Sequence, residues 1–349
     1  PSSPHLEGRA AKDALEEART SVAESLGCRP REVVFTSGAT EAAQIGLYGA
    51  AIAGRGRGSR LVVSAVEHPA VMEAAEALGE SGFDLVRVPV DEEGVVSSAR
   101  FLAAVTEDTA VAALMLANHE TGAVMPVAEV ARGLRERGVP LLCDASLGAG
   151  RLPVGADELG ADLVVHSAHK CNGPVGAGAL YVRRRTRVAR WMRGGVQEEK
   201  LRPGTENVAA CAAFAVALRR ACAETPERAR RYDELAVAFL DEFGDEETAR
   251  RVGPATGALP GLLTLELPGV EGEAAMINMD LEGYAVSTGS TCALGSSDPS
   301  PGLLAMGMSR SRASSTIRIT VGEGNDDASV RSAASSLRRI VSRLRALAH

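Results

Sequence analysis

The chain has 349 residues, 45% of them hydrophobic and 24% charged, with a formal net charge of -7. No uncharged apolar run approaches the roughly 20 residues of a bilayer span, so no membrane association is expected. The acidic balance and 3% aromatic content argue against a broad nucleic-acid surface or base-stacking platforms. The opening Pro1–His5 has neither a basic n-region nor an apolar h-region. No signal peptide is therefore expected, and the start at Pro1 is read as lying downstream of the natural one. Cys28, Cys143, Cys171, Cys211, Cys222 and Cys292 form no C-x-x-C pair. No metal site is indicated, and reduced thiols in the cytoplasm are the expectation.

In chain order, short β-rich runs alternate with helical stretches. Strands are predicted at 32–36, 60–65, 84–88, 110–116, 140–143, 162–167 and 179–183. Helical patterns lie at 9–26, 41–53, 70–80 and 127–137. The strands are almost continuous runs of Val, Leu and Ile, as required when helices bury both faces of a mainly parallel sheet. The alternation predicts an α/β fold, doubly wound. From about Glu224 the texture changes. A charged helix (227–242), a strand (261–266), a helix (273–281), a Gly/Ser-rich loop, a strand (316–321) and a closing helix (327–348) predict a smaller α+β domain. The expected boundaries are 8–225 for the large domain, and 226–349 with residues 1–7 for the small one.

Six features carry possible chemistry. In Thr36-Ser37-Gly38-Ala39-Thr40-Glu41 a strand turns into a helix whose first N–H groups can face an anion; a plain capped turn reads similarly. Val165-His166-Ser167-Ala168-His169-Lys170 ends a strand, where open α/β sheets place ligands. Alone, Lys170 reads as a solvated strand-end charge. Beside the phosphate donors Ser167 and His169 it suggests an imine-forming residue. Asp144 directly follows an apolar strand, a costly place for a carboxylate without a partner. It suits either a protonated pyridine nitrogen or a helix cap. His68, in Glu67-His68-Pro69, lies past another strand end and can stack or move protons, although a lone loop histidine more often serves structure. Cys292 sits in the small polar loop Ser287–Ser297, whereas the other cysteines read as packing residues. Arg318, in Ile317-Arg318-Ile319, either points outward or clamps a carboxylate. The run Arg183, Arg184, Arg185 and Arg187 reads as a solvated strand end.

Taken together and in this order, these blocks resemble the fold-type I pyridoxal-phosphate enzymes of aminotransferase class V. Within that class they look like the cysteine desulfurases, in the group with the longer S-S-G-S-A-C loop. The resemblance runs from Pro1 to about Val321 and includes Asn118–Gly122, Arg202–Thr205 and Ser287–Cys292. It implies a pyridoxal 5'-phosphate cofactor linked to Lys170, stacked on by His68, held at its ring nitrogen by Asp144, and held at its phosphate by Ala39, Thr40, Ser167 and His169. It also implies a homodimer in which Thr205 reaches the phosphate in the partner subunit. Arg318 and Asn118 are implied at the substrate. The implied reaction takes sulfur from L-cysteine, leaving alanine and a persulfide on Cys292. A sulfur-acceptor protein would dock near that loop, for iron–sulfur assembly, tRNA thiolation or DNA phosphorothioation. A class V aminotransferase, a selenocysteine lyase and a non-catalytic scaffold remain as alternatives. Two positions depart from the family pattern: His119 replaces the second Asn of N-N-E-x-G, and Leu147 replaces a Gln that binds the cofactor's O3′. His119 is expected to supply that donor.

Overall fold

The computed structural model describes residues 1–244, 248–288 and 298–347, which form two compact units. The first comprises residues 1–88, 96–117 and 125–225; the second comprises 89–95, 118–124 and 226–349. Residues 1–7, expected with the small domain, belong to the first unit. His5 caps helix α1 (Leu6–Ser25), its Nδ1 accepting from Gly8 N–H, and so holds the N-terminal segment there.

The first unit continues with β1 (Val33–Thr36), α2 (Ala39–Gly54), β2 (Arg60–Ser64), α3 (Pro69–Glu80), β3 (Asp84–Val88), α4 (Ser98–Ala104), β4 (Thr109–Ala113), α5 (Val127–Glu136), β5 (Leu141–Asp144), α6 (Ala156–Leu159), β6 (Leu163–Ser167), β7 (Gly178–Val182) and α7 (Val208–Ala223). The sheet order is β1-β7-β6-β5-β4-β2-β3. Strand β7 runs against both β6 and β1, and the other pairings are parallel. The C-terminal ends of β1, β2, β4, β5 and β6 therefore share one edge. The predicted continuation of β4 to Leu116 is seen in its hydrogen bonds: Leu114 N–H donates to Leu142 and Leu116 N–H to Asp144, at 3.0 and 2.8 Å.

Strand periodicity explains the continuous apolar runs. Leu61, Val63, Leu142, Leu163, Val165 and Leu180 pack with Ile45, Leu47 and Val71 of the helices in one core. Their alternates Val62, Cys143, Val164 and Tyr181 are also buried. Each full burial of such an aliphatic side chain contributes about 1.5–3 kcal/mol. A buried ion pair ties the outer layer to β1: Arg19 grips Glu198 at 2.6 and 2.8 Å, and Glu198 also accepts from Phe35 N–H at 2.7 Å.

The second unit contains α8 (Thr225–Phe243), β8 (Arg250–Val252), β9 (Leu262–Glu266), α9 (Gly272–Leu281), β10 (Ser287–Thr288), α10 (Pro301–Ala305), α11 (Arg310–Ser314), β11 (Thr316–Thr320) and α12 (Asp327–Leu347). Its antiparallel sheet has the order β10-β11-β9-β8. Ile317 and Ile319 join Leu263, Leu265, Phe239, Met279, Leu337 and Ile340 in its core. The alternation of β11 sends Arg318 to the opposite face. Among the described residues no helix is long and apolar enough to cross a membrane.

Candidate active site

The shared strand edge of the first unit collects most of the predicted residues. At the end of β1, Gly38 adopts φ 154° and ψ -177°, a conformation open essentially to glycine. It turns the chain into α2, whose first intrahelical bond of this kind is Ala42 N–H to Gly38 O at 3.1 Å. The N–H groups of Ala39 and Thr40 lie in the opening turn, where the helix supplies no acceptor. Ser37 N–H donates to the Glu41 carboxylate, which Arg202 holds from the other side at 3.2 Å. Arg202 thus balances a negative charge that would otherwise oppose an anion at this helix start. Gly178 of β7 pairs with both Thr36 and Ser167. A Cβ there would lie 2.7 Å from His166 O and 2.8 Å from Gly38 Cα, so only glycine lets the three segments meet.

Beyond β6, residues Ala168–Cys171 make a short 3-10 turn that leaves Lys170 and His169 exposed. Ser167 Oγ and His169 Nδ1 lie 3.0 Å apart. At the end of β5, Asp144 is 8% exposed, and its Oδ1 accepts from Ser146 N–H at 2.9 Å and from Ser146 Oγ–H. Past β2, His68 caps α3: its Nδ1 accepts from Ala70 N–H at 3.0 Å, so a proton sits on Nε2 in the neutral ring. Burial pushes the His68 pKa down; Asp144 opposes this and Lys170 reinforces it. Those electrostatic couplings join His68, Asp144 and Lys170 in one neighbourhood. Thr205 is exposed in the loop before α7. Leu147 is half-buried in the turn after Asp144 and offers no polar atom.

The second unit holds the remaining described residues. Arg318 donates from a terminal nitrogen to His119 O at 2.7 Å. Asn118, expected at the substrate, spends Oδ1 on the N–H groups of Glu120 and Thr121, both at 2.9 Å. That carbonyl is a turn-former for its own loop. Glu120 is a neighbour the sequence reading missed. Burial pushes its pKa up to about 7, with Ser300 and the Arg318 charge pulling the other way. A carboxyl whose folded pKa is raised contributes stability that is fully present below the ordinary carboxylate range and is lost as pH rises through about 7. Thermal stability is therefore expected to fall between about pH 5 and about pH 8. Glu120→Gln should make that fall shallower in melting curves, and a decline of equal depth in both proteins would refute the assignment.

Cys292 lies outside the described residues. Among the described thiols, burial pushes Cys28 and Cys211 up to about 12, Cys222 up to about 11, and Cys143 well above its ordinary value. Cys171 is buried, and its Sγ donates to Ala168 O at 3.3 Å. Thiols held so far from ionisation are poor nucleophiles.

A glycine turn into a helix start, a buried aspartate, a neutral histidine and a lysine, arrayed along the carboxyl edge of a mainly parallel sheet, are the arrangement of the pyridoxal-phosphate enzymes of fold type I. The aminotransferase class V family model matches residues 2–332, and the chain belongs to that family, within its cysteine desulfurase branch. It is 37% identical over 350 residues to the cysteine desulfurase IscS of Dictyoglomus turgidum, covering 99% of this chain and 88% of that one. Among solved structures, a NifS-like protein superposes with a TM-score of 0.91 at 31% identity, covering 98% of this chain and 91% of the other. SspA, solved in complex with cysteine, superposes with a TM-score of 0.80 at 27% identity over 92% and 90% of the two chains.

The donor set fits pyridoxal 5'-phosphate. Glycine at 38 and 178 keeps side chains out of the meeting of β1, β6 and β7, Thr40 lies in the opening turn of α2, Ser167 and His169 follow at the end of β6, and Asp144 is a buried carboxyl suited to a ring N–H. Asp144→Asn keeps the shape and removes the charge. A hydrogen bond to a charged group contributes about 1.5–3 kcal/mol, so a roughly 10- to 100-fold loss in turnover is expected. Steady-state rates check it; an unchanged rate would remove Asp144 from this role.

Proposed function

We propose that this chain takes sulfur from L-cysteine with the help of pyridoxal 5'-phosphate, releasing alanine and leaving a persulfide on Cys292. The observation that carries the reading is the electrostatic neighbourhood of Lys170, His68 and Asp144 beside the glycine cradle at the carboxyl edge of the sheet. The 37% identity to a cysteine desulfurase over nearly the whole chain and the likeness to SspA solved with cysteine support the choice of substrate.

Bound pyridoxal phosphate supplies an electron sink for the charge left when an amino acid loses its α-proton. Every other task falls to the chain. Ala39 and Thr40 N–H groups, with Ser167 and His169, take the phosphate. The Asp144 carboxylate keeps the ring nitrogen protonated. His68, neutral and fixed by its cap to α3, presents a flat ring for stacking. Arg318 takes the substrate carboxylate, and His119 supplies a donor on the O3′ side in place of the glutamine that Leu147 replaces. The Lys170 amine removes the α-proton. The Cys292 thiolate then attacks the substrate sulfur: an S–S bond forms, the substrate Cβ–S bond breaks with its electron pair returning to carbon, and a proton completes alanine.

The protein works as a homodimer in the cytoplasm, with Thr205 completing the phosphate site of the partner subunit. A sulfur-acceptor protein docks near the Cys292 loop. The deciding experiment incubates the cofactor-loaded protein with L-cysteine and measures alanine and protein-bound persulfide. Equal early yields of the two are expected. Pyruvate formation, or amino-group exchange with a keto acid and no persulfide, would overturn the reading.

A further inference from the structure

Glu67 is unassigned by the chemistry above, yet it is buried beside it. The residue is 6% exposed, in the β2–α3 connection that carries His68. Its Oε1 accepts from Ser64 Oγ–H at 2.6 Å and from Met115 N–H at 2.8 Å. Its Oε2 is buried and has no hydrogen-bond partner among the described residues. Two donors on one oxygen and none on the other match a carboxylic acid, with Oε1 as the carbonyl and Oε2 as the hydroxyl. They do not match a carboxylate, which spreads its charge over both oxygens. A bare buried anion is far costlier than an unpaired hydroxyl. Among the described residues, the charge that acts on Glu67 is that of Asp144, while the Lys170 amine acts on His68 in the next position. Ser64 comes from β2, the Met115 amide from the end of β4, and Cys143 and Asp144 from β5; Asp144 is the charged one, and it is negative. Burial pushes the Glu67 pKa up to about 7 against the pull of the Ser64 and Met115 hydrogen bonds, and the Asp144 charge adds a smaller push.

We propose that Glu67 is a positioning residue that works as a neutral acid: it ties the His68 loop to the end of β4 and leaves the buried negative charge of the site to Asp144 alone. The Ser64 and Met115 bonds set where the loop leaves β2, and hence where the His68 ring stands. Neutrality matters because two carboxylates in one buried neighbourhood do not both ionise without driving each other's pKa upward. As pH rises, Glu67 ionises and places a second negative charge in the site. This rests on the pyridoxal-phosphate reading only for its consequence, since the protonation state of Glu67 is measurable without substrate turnover.

The test compares the cofactor-loaded wild-type chain with Glu67→Gln. The amide reproduces the acid's shape: its carbonyl accepts from Ser64 and Met115, and it never ionises. In the infrared difference spectrum at about pH 5, one protonated-carboxyl band is expected in the wild type and absent from the variant; by about pH 8.5 it should fade. Glu67→Gln should retain its cofactor, and its visible absorbance should lose one titration step near neutrality. Glu67→Ala, which leaves the Ser64 and Met115 donors unpaired, should lower the melting temperature and loosen cofactor binding. Three results would overturn the proposal: no carboxyl band separating wild type from Glu67→Gln, a Glu67→Gln protein that does not fold, or one that folds yet sheds the cofactor. A protein that passes these tests but does not desulfurate cysteine would refute the proposed function and leave the role of Glu67 standing.

Discussion

Lys170→Ala is expected to abolish alanine formation from cysteine and to remove the visible absorbance of lysine-linked pyridoxal. The reason lies in where the 3-10 turn Ala168–Cys171 places the side chain. It exits β6 at the carboxyl edge, near enough to His68 for the lysine charge to depress the histidine. It also depresses His169, after burial, which in turn lies against Ser167. One amine therefore acts on both His169, beside Ser167, and His68. Under the proposed function its loss removes the covalent tether and the general base together. A positioned general base alone contributes about 10²–10⁴-fold, so the combined loss should exceed that range. Lys170→Arg should fare no better, because a guanidinium stays protonated and forms no imine. Absorbance scans and alanine assays check both variants. A Lys170→Ala protein with normal absorbance would relocate the tether. The cradle at Gly38 and Gly178 involves neither side chain, so the variant should still bind the cofactor through its phosphate, which equilibrium dialysis would show.

The edge that carries Lys170 is partly legible in the sequence because strands buried on both faces must be continuous apolar runs. Their carboxyl ends then locate the residues that follow: Asp144, Lys170, His68 and the Gly38 turn. The alternation Ile317-Arg318-Ile319 likewise separates Arg318 from the core. What sequence does not convey is which strands are neighbours. The need for glycine at 178 comes from β1 and β6 closing on β7, which brings Thr36 and Gly38 to a residue 140 or more positions along the chain. Glu67 reads as one more loop carboxylate until Met115 arrives from β4 to claim one oxygen. Arg318 finds the His119 carbonyl, and Asn118 turns inward to hold its own loop. Helix α7 (Val208–Ala223) escapes periodicity because Ala, Val, Cys and Phe occupy it almost all round, leaving little polar face to mark it. Helix α4 escapes for its brevity, with seven residues behind a Ser97 cap.

The sharpest separation between a sulfur-transferring enzyme and another class V enzyme comes from Cys292→Ser. The variant is expected to keep the cofactor and its absorbance, because the cradle, Asp144, His68 and Lys170 all belong to other segments. Protein-bound persulfide should vanish, and alanine formation should fall to background. A serine hydroxyl is a weak nucleophile without a base to activate it, and it cannot hold sulfur in a persulfide. The other thiols offer no substitute. Burial raises Cys28, Cys143, Cys211 and Cys222, so at neutral pH their thiolate fraction is minute, and Cys171 is buried with its sulfur donating to the backbone. Mass spectrometry of the cysteine-treated protein reads the outcome directly. The wild type should gain one sulfur atom on the peptide bearing Cys292, and the variant none anywhere. A variant that still converts cysteine to alanine at the wild-type rate would instead place this chain among enzymes that act on the amino acid without capturing its sulfur.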